Sequence, residues 1–170
     1  MAVEPNIILL SGEHDSDGFD CGEPSLNTFL RQYALQHMRK NMSRTWLLAE
    51  GIHILAYATL CVGEVRRDDT PVRNVRSLPR HAIPVLRLAR LATDLQHRGR
   101  GFATRLLVDA LQKAFLLSTS AGLHAVEVHA LSESASKFYR SFGFCPLKDD
   151  RHHLYLPIAT IVDAFDNPSA

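Results

Sequence analysis

The chain has 170 residues, of which 46% are hydrophobic, and its formal net charge at pH 7 is +1. A chain of this length can bury one substantial core, and its near-neutral charge excludes a protein that coats nucleic acid over its whole surface. The N-terminus lacks the basic-then-apolar pattern of a signal peptide, and no apolar run approaches the length of a bilayer span. We therefore expect a cytoplasmic protein without a membrane segment.

The cysteines and histidines point to neither a disulfide framework nor a metal site. Cys21, Cys61 and Cys145 are odd in number and form no CxxC pair, which argues against disulfides and a thiolate zinc site. The nine histidines are scattered, and the adjacent His152 and His153 would point to opposite faces of a strand. That is poor geometry for shared metal ligation, so we expect no metal.

Hydrophobic periodicity predicts the elements of the first half of the chain. Residues 6–10 form a strand, and a polar, turn-rich stretch over 11–20 follows it. Ser25 or a neighbour is then expected to cap a helix with a polar, solvated face opposite its apolar one. The apolar side chains recur at helical spacing and are expected to face inward: Leu26, Phe29, Leu30, Tyr33, Ala34, His37 and Met38. Residues 45–49 and 53–62 predict a hairpin around Glu50 and Gly51.

The second half alternates strands and helices. A strand is predicted over 86–92 and a helix from 101 to about 118. The loop that follows this helix is expected to end at Gly122. A strand over 125–130, a helix that carries Tyr139, a strand over 153–156 and a short terminal helix complete the order. There is no repeat, low-complexity tract or internal linker. The pattern predicts a single α/β domain over 1–170.

The turn between the 86–92 strand and the helix that follows is suited to bind an anion. Two glycines let the backbone turn tightly, and the first amides of a helix have no intrahelical partner. The helix dipole adds to these free donors, so we expect a phosphate or pyrophosphate at this turn. The residues involved are Gly99, Arg100, Gly101, Phe102 and Ala103. An ordinary strand-to-helix turn is the alternative interpretation.

Two nucleotide-binding motifs do not fit this turn. A P-loop needs GxxxxGK[ST], but no lysine follows Gly101, and the GxGxxG dinucleotide fingerprint is also unmet. The pattern [RQ]xxGx[GA] does fit, from Arg98 to Ala103 and again over 96–101. This pattern resembles the acyl-CoA-binding motif of the GCN5-related N-acetyltransferases (GNAT), which implies acetyl-CoA as the co-substrate.

A second motif follows over residues 132–144, SESASKFYRSFGF. It resembles the fourth GNAT motif, a short helix that ends in FYxxFGF and whose tyrosine usually protonates the departing CoA thiolate. Tyr139 takes that place, and Ser132 stands where the family often has a CoA-contacting asparagine. The resemblance implies the GNAT fold, a mixed central β-sheet flanked by helices. Phe138, Tyr139 and Phe142 also have the spacing of a plain core stripe, which remains an alternative.

The stretch over 62–90 is long for a loop and carries seven arginines against three acidic residues. Guanidinium groups bind phosphates in bidentate pairs, so a nucleic acid is a candidate substrate. The arginines that we assign to this role are Arg73, Arg76, Arg80, Arg87 and Arg90. Solubility and salt bridges to acidic side chains are the alternative explanation.

Three segments resemble the acetyltransferase toxins of bacterial type II toxin–antitoxin systems: FDCG over 19–22, LNTFL over 26–30 and PVLRLARLA over 84–92. The resemblance implies transfer of an acetyl group to the α-amine of aminoacyl-tRNA, which blocks translation. It also implies a homodimer and a ribbon-helix-helix antitoxin as partner. A GNAT enzyme that acetylates a small amine or a protein N-terminus, and a non-catalytic module that binds CoA or nucleic acid, remain as alternatives.

The expected mechanism follows from the pKa of the acceptor. The pKa of an α-amine is about 7.7–8, well below the roughly 10.4 of lysine, so a weak base or water can suffice. Glu64 and Asp94 are candidate bases without a ranking. A backbone amide near Leu91 and Ala92 would meet the oxyanion where the strand splays. Tyr139, protonated at neutral pH, would act as general acid toward the CoA thiolate.

Overall fold

The computed structural model describes residues 4–70 and 78–166. Seven strands form a mixed sheet: β1 Ile7–Leu9, β2 Arg44–Glu50, β3 His53–Val65, β4 Ile83–Thr93, β5 Ala125–His129, β6 Cys145–Pro146 and β7 His153–Pro157. Their order in the sheet is β1-β2-β3-β4-β5-β7-β6. β4 and β5 are parallel, whereas β5 and β7 are antiparallel. The mixed sheet that the sequence predicts is thus confirmed.

The helices lie between these strands along the chain, except for the last helix, which follows β7. They are α1 Pro24–Thr28, a π-helical turn over Phe29–Tyr33, α2 Ala34–Arg39, α3 Phe102–Ser118, α4 Glu133–Arg140 and α5 Ile158–Asp166. Single 3₁₀ turns occupy Arg67–Asp69 and Leu95–His97. The predicted order of strands and helices is confirmed, with differences at the ends of elements.

The chain divides into two compact units. The first comprises Met1–Cys61 and Ala89–Ala110, and the second comprises Val62–Leu88 and Leu111–Ala170. The first unit has a core of buried side chains from its helices and strands: Leu10, Phe19, Cys21, Phe29, Leu30, Ala34, Leu47, Ile54, Tyr57 and Ala92. A core cluster of the second unit contains Val65, Ile83, Val85, Ala125, Leu147 and Tyr155. The assignment of 1–170 to a single domain stays a prediction.

The first helical segment departs from its prediction in two ways. Glu23, not Ser25, occupies the N-cap position, and no side chain caps the helix; Pro24 occupies its first turn, where a missing N–H costs nothing. The π-helical turn then inserts an extra residue, because Ala34 N–H donates to the Phe29 carbonyl. The helical spacing is broken there, so Tyr33 is exposed whereas its predicted orientation is inward.

The loop after β3 is shorter than predicted. β3 continues to Val65 and β4 begins at Ile83, because these segments pack apolar side chains that their arginine-rich flanks obscure in the sequence. The hairpin of β2 and β3 is confirmed, and Gly51 at its turn has φ +61°. β6 is not predicted, because two residues are too few to show a period.

Candidate functional site

The predicted anion-binding turn has the required backbone conformation. Gly99 and Gly101 have φ values of +75° and +76°, and α3 begins at Phe102 directly after them. Arg105 N–H donates to the Gly101 carbonyl, so the amides of 102–104 precede the first intrahelical donor. A Cβ on either glycine would meet no atom within 4 Å. Glycine is therefore needed at these two positions for backbone conformation, not for lack of space.

Asp94 fixes the entrance to this turn. Its Oδ2 accepts from Asp20 N–H at 3.0 Å and its Oδ1 accepts from Gln96 N–H at 2.9 Å, where it caps the 3₁₀ turn. The residue is 8% exposed. Because both oxygens hold backbone amides, the geometry favours a structural role for Asp94 over that of a general base.

We expect Asp94→Ala to lower the free energy of unfolding by about 2 kcal/mol, through loss of a cap and two amides left without an acceptor. Asp94→Asn is the matched variant, since it keeps one acceptor oxygen and should lose less. Urea unfolding of the two variants checks the order. A loss below about 0.5 kcal/mol in Asp94→Ala would contradict the structural role.

The FDCG and LNTFL segments brace the same turn. Asp20 Oδ1 accepts from Gly22 N–H and from the Asn27 side-chain amide, both at 2.8 Å, and these bonds hold the pKa of that carboxyl below its usual value. Asn27 Oδ1 in turn accepts from Cys21 N–H at 2.9 Å. Arg98 donates to the Cys21 carbonyl at 2.7 Å. These residues shape the backbone around the turn, and Arg98 reaches this segment.

Arg100, Leu91 and Ala92 complete the residues predicted to contact the cofactor. Arg100 is exposed, lies 3.0 Å from His97 Nδ1 and stacks on the Phe102 ring at 4.8 Å. Leu91 is half-buried and Ala92 is buried in β4. The register of β4 with β5 ends at the Leu88–Val128 pair, three residues before Leu91. This is the place at which the sequence predicts a splayed strand.

Tyr139 lies on α4 and is 6% exposed. Its ring packs edge-on against Phe138 and Phe144, with centroids at 5.3 and 5.7 Å. Burial raises the pKa of its phenol, so the group stays protonated at neutral pH. The ring is thus part of a core stripe, as the alternative interpretation proposes, but a core position does not prevent proton donation by the hydroxyl.

Ser132 begins the helix that carries Tyr139. It is the N-cap, and its Oγ accepts from Ala135 N–H at 3.1 Å and lies 3.0 Å from Ser134 Oγ. A capped first turn and an extended Ser132 backbone explain why α4 starts here. The exposed Ser132 side chain therefore has a local role besides the cofactor contact that the sequence predicts.

The three described members of the predicted arginine cluster each have different partners. Arg87 makes a bidentate pair with buried Glu127, from Nε to Oε2 at 3.0 Å and from Nη2 to Oε1 at 3.3 Å. Arg90 stacks over Phe29 at 3.6 Å from its centroid. Arg80 lines an open pocket of about 460 Å³ together with Arg66, Arg67, Asp68, His81 and Ala82. Arg73 and Arg76 lie outside the described residues.

One polar cluster escaped the sequence analysis. Glu127 is 1% exposed, and His153 bridges it to Asp149, with Nε2 at 2.5 Å from Glu127 Oε1 and Nδ1 at 2.7 Å from Asp149 Oδ2. Burial opposes ionisation of Asp149, but the hydrogen bond and charge of His153 hold the pKa of that carboxyl below its usual value. His129 stacks on His153 at 3.9 Å, and burial, then the charge of His153, lower its pKa.

The signal that could have found this cluster is a glutamate inside the buried strand sequence AVEVH, since a buried carboxylate needs a partner. His152 does not lie on a strand, because β7 begins at His153. The two histidines still have different partners: His152 lies 3.6 Å from Glu133, whereas His153 contacts Glu127 and Asp149. The second histidine of the cluster is His129, which the paired strand β5 supplies. That pairing depends on the β5–β7 register, which the sequence does not show.

Comparison with known proteins identifies the class of enzyme that this fold and turn define. The Acetyltransferase (GNAT) domain family matches residues 42–146, which include the two-glycine turn and Tyr139. The chain belongs to this family. It is an N-acetyltransferase with acetyl-CoA as co-substrate.

Across the described ranges, no helix is both long and apolar enough to cross a membrane.

The chain is similar to toxins of this family over most of its length. A tRNA-acetylating toxin of Mycobacterium tuberculosis is 36% identical over 147 residues, or 86% of this chain and 88% of that protein. The structure of AtaT complexed with acetyl-methionyl-tRNAfMet is 32% identical, with a TM-score of 0.87, and covers 94% of this chain and 98% of that one. A Tyr-to-Phe variant of AtaT, bound to the C-terminus of the antitoxin AtaR and acetyl-CoA, is 29% identical with a TM-score of 0.81, over 96% and 99% of the two chains.

Proposed function

We propose that this protein is a toxin that acetylates the α-amine of aminoacyl-tRNA in the cytoplasm and so stops translation. The observation that carries the proposal is the braced two-glycine turn, in which Asp20, Asn27 and Asp94 hold the backbone ahead of α3. The FDCG and LNTFL segments that resemble those of the toxins supply two of these three side chains. The similarity to a tRNA-acetylating toxin and to AtaT with an acetylated tRNA supports the choice of acceptor.

In the proposed reaction the amides of 102–104 and the glycine turn hold the pyrophosphate of acetyl-CoA, with Arg98, Arg100 and Ser132 as further contacts. The neutral α-amine attacks the thioester carbonyl, and an amide near Leu91 or Ala92 stabilises the oxyanion. Tyr139 donates its phenolic proton to the CoA thiolate as the carbon–sulfur bond breaks. Near pH 8 an appreciable fraction of the α-amine is already neutral. After the attack, the nitrogen can therefore lose its extra proton to water, without a dedicated base.

For the acceptor side we propose that arginines contact tRNA phosphates. The pocket that Arg66, Arg67 and Arg80 line is the best supported part of this surface, because three guanidinium groups stand there against one carboxylate. Arg73, Arg76, Arg87 and Arg90 stay in the proposal. Two N–H groups of Arg87 already donate to Glu127, so fewer of its donors are available to bind a phosphate.

The proposed partners are a ribbon-helix-helix antitoxin and a second copy of this chain. The AtaT complex with its antitoxin supports the former, and family resemblance supports the homodimer. We also propose that residues 1–170 act as one domain, since the toxin structures align with 94–96% of the chain. Sedimentation of the chain alone and with a candidate ribbon-helix-helix antitoxin checks both assemblies.

The direct test incubates the purified protein with aminoacylated tRNA and labelled acetyl-CoA, then analyses the aminoacyl-adenosine fragment by mass spectrometry. We expect an added acetyl group on the α-amine. A panel of small amines and N-terminal peptides is the parallel arm. Protein that binds acetyl-CoA and acetylates only that panel would instead support the small-amine enzyme.

We expect the KM for aminoacyl-tRNA to rise steeply with salt, because bound arginines release counterions from the phosphates. The double change Arg66→Gln and Arg80→Gln should lower that log–log slope by roughly 0.7–0.9 for each phosphate that no longer pairs with an arginine. The KM for acetyl-CoA should not change. Arg39→Gln, an exposed arginine outside the pocket, is the matched control. An equal slope in the double variant and the control would place the tRNA elsewhere.

A further inference from the structure

A second candidate site lies on one face of the β5–β7 ladder. His129 stands directly opposite His153 in the antiparallel register, and Glu127 is two residues before His129 on the same strand. Side chains at i and i+2 share a face, as do cross-strand partners. The register therefore brings two imidazoles and one carboxylate together, and their candidate ligand atoms all lie within 4.8 Å of one another.

Both imidazoles aim the same atom at the same oxygen. Nε2 of His153 is 2.5 Å and Nε2 of His129 is 3.5 Å from Glu127 Oε1. Tetrahedral zinc with bonds of about 2.0–2.1 Å separates its ligand atoms by roughly 3.3 Å. The His129 distance already meets that value. The His153 distance meets it after His153 and Glu127 separate by less than about 1 Å, with the proton between them replaced by the ion.

The side chains around these three residues resemble those that hold the ligands of a metal site in place. His153 uses its other ring nitrogen, Nδ1, to contact Asp149 Oδ2 at 2.7 Å, and such a carboxylate orients an imidazole for metal binding. Arg87 holds both oxygens of Glu127, Oε2 at 3.0 Å and Oε1 at 3.3 Å, and Oε1 also faces the two imidazoles. Glu127 is buried while the His129 side chain is 56% exposed, so an ion can reach the cluster and retain a water ligand.

His129 distinguishes this site from a plain ion-pair network. Arg87, Glu127, His153 and Asp149 by themselves form a continuous chain of side-chain contacts. That chain has no need of His129, which nevertheless stacks on His153 and turns Nε2 toward Oε1. Two imidazoles and one carboxylate are a ligand set of zinc sites that keep a fourth position open.

We propose that Glu127, His129 and His153 form a Zn²⁺ site, with Asp149 as the positioning residue for His153. Acetyl transfer in this family uses acetyl-CoA without a metal, so the site lies outside the catalytic step. The bound ion would join β5 to β7 through side chains. It should therefore raise the melting temperature of the folded protein.

The test is a titration of the full-length, chelator-treated protein with Zn²⁺ by calorimetry and with Co²⁺ by visible absorption. We expect one ion per chain and the intense visible bands of four-coordinate cobalt. His129→Ala should weaken Zn²⁺ binding by at least about 100-fold, and Asp149→Asn by roughly 10–100-fold. His152→Ala is the matched control, because His152 contacts Glu133 and not the proposed site. This variant should bind Zn²⁺ as tightly as the unmodified protein.

The proposal is overturned if the unmodified protein binds no Zn²⁺, or if His129→Ala and His152→Ala bind it equally well. Circular dichroism of each variant verifies folding. His129→Gln, which keeps a polar side chain of similar reach, replaces the alanine variant if that one unfolds. None of these outcomes depends on the acceptor substrate, so the zinc site and the proposed tRNA acetylation fail or stand separately.

Discussion

Tyr139→Phe should lower kcat by roughly 10²-fold or more while the melting temperature stays near that of the unmodified protein. The change removes one hydroxyl and keeps the ring that packs on Phe138 and Phe144. Loss of a positioned general acid has this magnitude, and the CoA thiolate would then have to leave without a proton. Steady-state kinetics with aminoacyl-tRNA and a thermal melt measure both quantities. Expression of the unmodified protein should arrest bacterial growth, and the variant should relieve the arrest.

Tyr57→Phe is the matched contrast. The Tyr57 hydroxyl donates to the Leu26 carbonyl at 2.8 Å, so its removal should cost about 1 kcal/mol of stability and leave kcat nearly unchanged. The pH profile adds a second criterion. Because burial raises the pKa of Tyr139, the rate should climb as the acceptor amine loses its proton and should not fall between pH 7 and 9. An unchanged kcat with a lowered melting temperature would make Tyr139 a core residue only.

Gly101→Asp should abolish measurable acetyl-CoA binding. At φ +76° any side chain is strained, and release of that strain would turn the amides of the α3 N-terminus away from the pyrophosphate. The added carboxylate also repels the phosphates. Calorimetric titration with acetyl-CoA measures the affinity, and circular dichroism measures retention of the fold.

Two controls separate strain and charge from the site itself. Gly51→Asp places the same side chain at φ +61° in the β2–β3 turn, and Gly122→Asp places it in open space without positive φ. The first should lose about 1–2 kcal/mol of stability and the second almost none, and both should bind acetyl-CoA normally. Near-normal affinity in Gly101→Asp would move the pyrophosphate site elsewhere.

The sequence by itself determined the class of fold and the turn. Residues 96–103 specify their conformation locally, because only glycine adopts positive φ without strain and a helix N-terminus needs no distant partner to leave its amides free. The order of strands and helices follows from apolar periodicity in the same local way. For the helix of residues 24–39 this approach was less accurate. Its cap and the π-helical turn depend on hydrogen bonds that periodicity does not encode.

Only the tertiary structure decided which charged side chains meet. In the sequence Arg87 is one of seven arginines in a basic stretch, yet in the fold it is committed to Glu127, 40 residues later. Asp94 is a candidate base in the sequence and a double backbone acceptor in the fold. His129 and His153 become neighbours through the register of β5 with β7. Such partners are set by strand pairing between distant segments, and the burial that makes each pairing necessary exists only after the core has formed.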